Sequence, residues 1–126
     1  TDIGWDIYPQ GFYDILKRMH QITGPRPIEI TENGACYNVG PDESGAIHDP
    51  KRTEWLRLHL LELSRAIADG VPVRGYHCWS LMDNFEWADG YTKRFGIHYV
   101  DFATQKRTPK LSALWYKEVI RQSRIV

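Results

Sequence analysis

The sequence predicts an α/β fold with parallel strands, and three observations carry that prediction. Stretches with a helical apolar stripe alternate with short strand-like runs, in the order helix, strand, helix, strand, helix. A helix-length segment separates the two strands, and a helical crossover returns a chain in the same direction. Two such strands would both be edges, whereas a parallel sheet needs helices on both faces or a closed barrel. The 126 residues therefore read as part of one larger domain rather than as a domain of their own.

The first helix is predicted over residues 5–21, entered through Tyr8-Pro9, since proline suits a first helical turn. Phe12, Ile15, Leu16 and Met19 form its apolar stripe, with Asp14, Lys17 and Arg18 toward water. Thr23-Gly24-Pro25 stops it. In the strand that follows, alternation puts Ile28, Ile30 and Glu32 on one face, read as the inward one, with Glu29 and Thr31 on the other. Asn33-Gly34 ends the strand, because both residues tolerate the left-handed backbone of a tight turn. Residues 35–48 are a loop too polar to bury.

Asp49-Pro50 starts the second helix as a capping side chain followed by proline. Its stripe is Leu56, Leu60, Leu63 and Ile67, and Gly70 is its C-terminal cap. Residues 73–81 form the second strand, with Gly75, His77 and Trp79 inward and Arg74, Tyr76, Cys78 and Ser80 outward. A loop rich in acids and aromatics covers 83–93, and a short extended segment covers 95–101. Thr108-Pro109 opens a last helix that would bury Leu111, Trp115, Val119 and Ile120.

Composition narrows the function. Sixteen basic and sixteen acidic side chains cancel, which gives no footprint for nucleic acid or an anionic membrane. No apolar run approaches the roughly 20 residues of a membrane span. Cys36 and Cys78 make no disulfide framework, and no Cys/His spacing suggests zinc.

Chemistry concentrates where the strands end, at the carboxyl edge that parallel α/β folds use for function. Glu32 ends the first strand, and the second runs into Trp79-Ser80-Leu81-Met82-Asp83-Asn84-Phe85-Glu86-Trp87. By itself, a strand-end Glu reaches water as readily as it serves a site, and a Trp packs in a core as readily as it binds. Together they suit a neutral sugar: an indole face packs on axial C–H groups, and a carboxylate accepts hydrogen bonds from hydroxyls.

Thr31-Glu32-Asn33-Gly34 resembles the nucleophile motif of glycoside hydrolase family 1, the retaining β-glucosidases and their relatives. The stretch from Trp79 to Trp87 resembles that family's sugar-binding motif. Tyr91, Arg94-Phe95-Gly96, Val100-Asp101, Arg107 and Lys110-Leu111-Ser112 are similar to its C-terminal stretch. The resemblance implies that residues 1–126 are the C-terminal part of a (β/α)8 TIM barrel, covering helix 6, strand 7, helix 7, strand 8 and helix 8. Strands 1–6 would lie on a separate N-terminal portion.

The resemblance implies Glu32 as the catalytic nucleophile and Trp79 as the floor of the subsite for the nonreducing sugar. It implies that Glu86 and Trp87 bind that sugar's hydroxyls and that Phe95 packs near its exocyclic arm. Asp83 and Asn84 fit better as loop-shaping partners. A carboxylate at Glu86 would repel a phosphate, so the Glu86-Trp87 pair implies an unphosphorylated β-glucoside or related sugar. His77 departs from the family, where an apolar or aromatic residue is expected, and is read as a neutral, hydrogen-bonded core histidine. No metal or cofactor is implied, and the location expected is cytoplasmic. The family's acid/base glutamate belongs to an Asn-Glu-Pro motif, and that tripeptide does not occur here. Two function classes follow: a retaining β-glucosidase inactive without its other portion, or a noncatalytic carbohydrate-binding or structural fragment.

Overall fold

The computed structural model describes residues 1–126. Proline sets the start of the first helix: it pushes the residue before it out of helical backbone. Tyr8 accordingly sits at φ −133°, ψ 76°, and α1 spans Pro9–Thr23, leaving residues 5–8 outside the helix predicted over 5–21. Gly24, at φ +71°, ends α1 as expected. β1 (Ile28–Asn33) and β2 (Val73–Cys78) lie side by side and parallel, joined through α2 (Pro50–Ala68). At the end of α2, Gly70 takes φ +87° and the Val71 N–H donates to the Ala66 carbonyl at 3.0 Å, the closed cap its glycine predicts.

The remainder holds an element the sequence did not suggest. β3 (His98–Val100) and β4 (Arg107–Pro109) form an antiparallel pair, so Thr108-Pro109 belongs to a strand and α3 begins after it, at Leu111–Gln122. Asp49 is also not the cap it resembles. Its carboxylate is committed to Arg52 at 2.8 Å and to the backbone and hydroxyl of Ser112 at 2.8 and 2.7 Å.

All three helices cover the same face of the β1–β2 sheet. Leu16 of α1 and Leu60, Leu63 and Ala66 of α2 pack on Ile30, with Ile28, Val73, Tyr76, Trp115 and Val119 around them. Ile28 and Ile30 thus point at the helices, contrary to the inward orientation expected of them. Glu29 takes the opposite face: its Oε1 lies 2.8 Å from His77 Nε2, and both side chains are exposed. His77 is hydrogen-bonded as expected, but to Glu29 on an open face rather than inside a core. A second core joins Ala35, Tyr37, Trp55, Leu56, Ile97 and Ala113 beneath the loops.

The apolar stripes are only half used. Of the α1 stripe, Leu16 is buried while Ile15 and Met19 are 52% and 43% exposed. Ile67 of α2 and Leu111 and Ile120 of α3 are exposed as well, although the stripe pattern predicted their burial. No helix is long and apolar enough to cross a membrane.

Candidate active site

The site begins with an irregularity in β1. Ile30 pairs with Tyr76 and Asn33 with Cys78, so β1 spends three steps where β2 spends two. One extra residue in a strand breaks the alternation of its side chains. Ile30 and Asn33 therefore both turn toward the helices, where Asn33 Oδ1 accepts the Tyr76 hydroxyl at 2.9 Å. Glu32 is released from the face of Ile30, on which strict alternation put it, and lines a cleft at the strand's end.

Gly34 serves a different purpose from a left-handed turn. Its φ is not positive, but a Cβ built on it would lie 1.6 Å from the Trp79 carbonyl oxygen. Only glycine lets the two strand ends approach this closely. The Trp79 N–H donates to the Asn33 carbonyl at 2.9 Å, and the Trp79–Ser80 peptide bond is cis.

The loop after β2 is built on Asp83, which is fully buried. Its carboxylate pairs with Arg94, with Lys110 Nζ at 2.9 Å, and with the backbone N–H groups of Gly96 at 3.1 Å and Val100 at 3.3 Å. Burial pushes the Lys110 amine down to about 8, helped by the nearby charge of Arg52. Gly96 is needed here because a Cβ would meet the Asp83 N at 2.1 Å. Asn84 Nδ2 donates to Ser80 Oγ at 3.3 Å. Asp83 and Asn84 thus shape the loop, as their positions suggested.

Above this base, residues 86–90 form a tight turn in which the Glu86 N–H donates to the Gly90 carbonyl at 2.7 Å. Trp87 sits in the left-handed region at φ +43°, unusual for a bulky residue, and is 83% exposed. Phe95 is buried under the cleft, its ring 6.0 Å from that of Trp5.

Glu32, Trp79, Glu86, Trp87 and Phe95 all line one cleft of about 520 Å³. The five residues singled out from sequence, spread over more than half the chain, are therefore brought together. Three further lining residues, Trp5, Asn33 and Gly34, were missed as site residues. Asn33 and Gly34 stand beside Glu32, where turn chemistry alone accounts for them; Trp5 falls within the helix predicted over 5–21, and nothing in its spacing signals otherwise. No group of three or more His, Cys, Asp or Glu side chains is placed to hold a metal ion.

The two loops flanking the cleft are held together from below. Arg52 of α2 is 1% exposed and donates to the carbonyls of Ala35 and Phe95 through Nη1 and of Tyr37 and Arg94 through Nη2. Asn38 adds to this join, accepting the Arg94 N–H and donating to the Thr92 carbonyl, both at 2.9 Å.

Comparison with known proteins gives the family. The family model described as glycosyl hydrolase family 1 matches residues 1–125. The 1,4-beta-D-glucan glucohydrolase of Thermotoga neapolitana is 51% identical over 123 residues, 98% of this chain and 28% of that protein. Beta-glucosidase A of Thermotoga maritima is 48% identical over the same share of both chains. The 6-phospho-beta-galactosidase of Staphylococcus epidermidis is 47% identical over 99% of this chain and 27% of that protein. A Thermotoga maritima beta-glucosidase solved in complex with glucoimidazole superposes with a TM-score of 0.96 at 48% identity, again over 98% of this chain and 28% of that one. The chain spans little more than a quarter of the length of these relatives, and it belongs to glycosyl hydrolase family 1.

Proposed function

We propose that this chain is the C-terminal part of a (β/α)8 barrel that hydrolyses β-glucosidic bonds with retention of configuration, and that it supplies the nucleophile and part of the sugar subsite. The observation that carries this reading is the convergence of Glu32 with Trp79, Glu86 and Trp87 on one cleft at the carboxyl edge of parallel strands. Glu32 attacks the anomeric carbon as the glycosidic bond breaks, giving a glycosyl ester. A second carboxyl group protonates the leaving oxygen and then deprotonates the water that cleaves the ester. In a retaining pair the two carboxyl groups stand roughly 5–5.5 Å apart across the bond. The missing partner belongs to the rest of the barrel, a reading that the open Glu29–His77 face supports.

Specificity rests on the loop. Relatives near 50% identity include both β-glucosidases and a 6-phospho-β-galactosidase, so overall identity does not choose between a free and a phosphorylated sugar. Glu86 does: its carboxylate accepts hydrogen bonds from hydroxyls and repels a phosphate dianion. The reading is therefore a β-glucosidase for unphosphorylated sugar.

A chimera tests it. The chain replaces the matching segment of Thermotoga maritima beta-glucosidase A, and an aryl β-glucoside and its 6-phosphate are assayed side by side. Turnover of the unphosphorylated substrate by the chimera, and none by the 126-residue chain alone, is expected. Turnover by the isolated chain at the rate of a complete enzyme overturns the division of labour, and preference for the 6-phosphate overturns the role of Glu86.

A further inference from the structure

We infer that Arg52, which does not itself line the cleft, is a positioning residue that sets where Glu32 stands relative to the sugar-binding loop. The inference rests on the reading of Glu32 as nucleophile. Two separate chain segments flank the cleft: the one leaving β1 through Glu32-Asn33-Gly34 to Tyr37, and the one returning through Arg94-Phe95. Arg52 is the one side chain that donates to carbonyls on both, Ala35 and Tyr37 on the first and Arg94 and Phe95 on the second. Its remaining N–H goes to Asp49 at 2.8 Å, so all five donors of the guanidinium are used.

The geometry suits guanidinium and no other side chain. Its donors form a rigid planar fork, so satisfying four carbonyls at once fixes the spacing of the segments that carry them. Lysine offers three donors from one point and cannot reproduce that span. Asp49 fixes the fork in turn, since its carboxylate is buried and also receives the Ser112 N–H and hydroxyl. Phe95 is both a wall of the cleft and an acceptor for Arg52, and Ala35 lies three residues after Glu32. A shift in the fork is felt at both without any contact to sugar, and near-ångström misplacement of a reacting group is enough to slow chemistry by about 100-fold.

A purely structural Arg52 would change only how much enzyme folds. The chimera above separates the two roles when kcat is expressed per active site counted by covalent labelling with a 2-deoxy-2-fluoro-β-glucoside. Arg52→Lys is expected to lower kcat per labelled site at least tenfold while the inhibition constant of a neutral glucose-type competitor changes less than threefold. Leu63→Ala, in the helix-packed core away from Arg52 and both segments, is expected to lower the unfolding temperature and leave kcat per labelled site unchanged. If Arg52→Lys yields no folded enzyme, Asp49→Asn takes its place, with a smaller loss of the same sign. Unchanged kcat per labelled site in whichever of these two variants folds overturns the inference. Glu32→Ala in the same chimera is the independent arm: normal activity there refutes the nucleophile assignment, whatever Arg52 does.

Discussion

Two groups of charges sit on opposite sides of β1 and β2, and they are treated in opposite ways. Under the loop after β2, Asp83 is wholly buried among Arg94, Lys110 and two backbone N–H groups, and Asp49 among Arg52 and Ser112. On the far face of β1 and β2, Glu29 and His77 meet at 2.8 Å with about 60% of each side chain exposed. Buried charges survive only when their partners are supplied, and here the chain itself supplies every one. The loop after β2 therefore brings its own scaffold. The strand face brings a hydrogen-bonded pair and little else, and it stands open together with the bare stripe of α1.

Glu32 stands where the two regions meet, and substituting it has the largest expected effect. In the chimera, Glu32→Ala should lower kcat by about 10⁴-fold or more, the scale on which loss of a nucleophile acts. Sugar binding should largely persist, since Trp79, Glu86 and Trp87 belong to the self-supporting loop. Azide should restore part of the activity and give the β-substrate's product with inverted configuration. A retained azide adduct, or a normal rate without azide, removes Glu32 from this role.

Much of this was readable from residue order. Proline and glycine marked the ends of α1 and α2 because their effects are local, and the motifs around Glu32 and Trp79 placed the site because short strands end where such residues cluster. What escaped reading depends on register. A period-two rule cannot foresee that β1 holds one extra residue between Ile30 and Asn33, yet that residue decides which face Glu32 occupies. Nor can a stripe reveal which neighbour covers it: Leu16 and Ile15 look alike in sequence, but only Leu16 meets α2 and β1. β4 was hidden by Thr108-Pro109, whose helix-start chemistry is local, while its pairing with His98 and Tyr99 is not.

The next largest effect sharpens the contrast between the two charged groups. Asp83→Asn leaves Lys110 and Arg94 without their counter-charge, and breaking a buried pair in this way costs about 3–5 kcal/mol. His77→Phe removes the only side chain bonded to Glu29 but, in the 126-residue chain, leaves Glu29 in water, and the denaturation midpoint should barely move. Both are to be measured in the 126-residue chain by guanidinium unfolding. Equal losses would mean that the far face is as tightly organised as the loop, and the distinction between the regions would fail. The depressed Lys110 amine adds a pH signature. Its folded-state value is about 8 and its ordinary value near 10.4, so between these the unfolded chain holds more protons. This group alone then makes stability rise as pH climbs through that window, a rise that Lys110→Met should abolish.

The smallest effect asks whether the open side really is a seam. Ile15, Met19 and Ile22 lie at i, i+4 and i+7 on α1, one turn of helix surface away from the contacts of Leu16, and Ile22 is 65% exposed. An exposed substitution that covers nothing changes stability by no more than about 0.5 kcal/mol. One that removes a side chain buried by a partner loses roughly 1–2 kcal/mol of apolar contact. Ile15→Gln distinguishes the two, because glutamine keeps helix propensity while giving up the apolar surface. If the rest of the barrel closes against α1, the separately produced N-terminal portion should bind the variant chain about tenfold more weakly than the original, with the chain's helical circular dichroism unchanged. An unchanged affinity would place this stripe at an outer surface, and the seam would then have to run along the Glu29–His77 face alone.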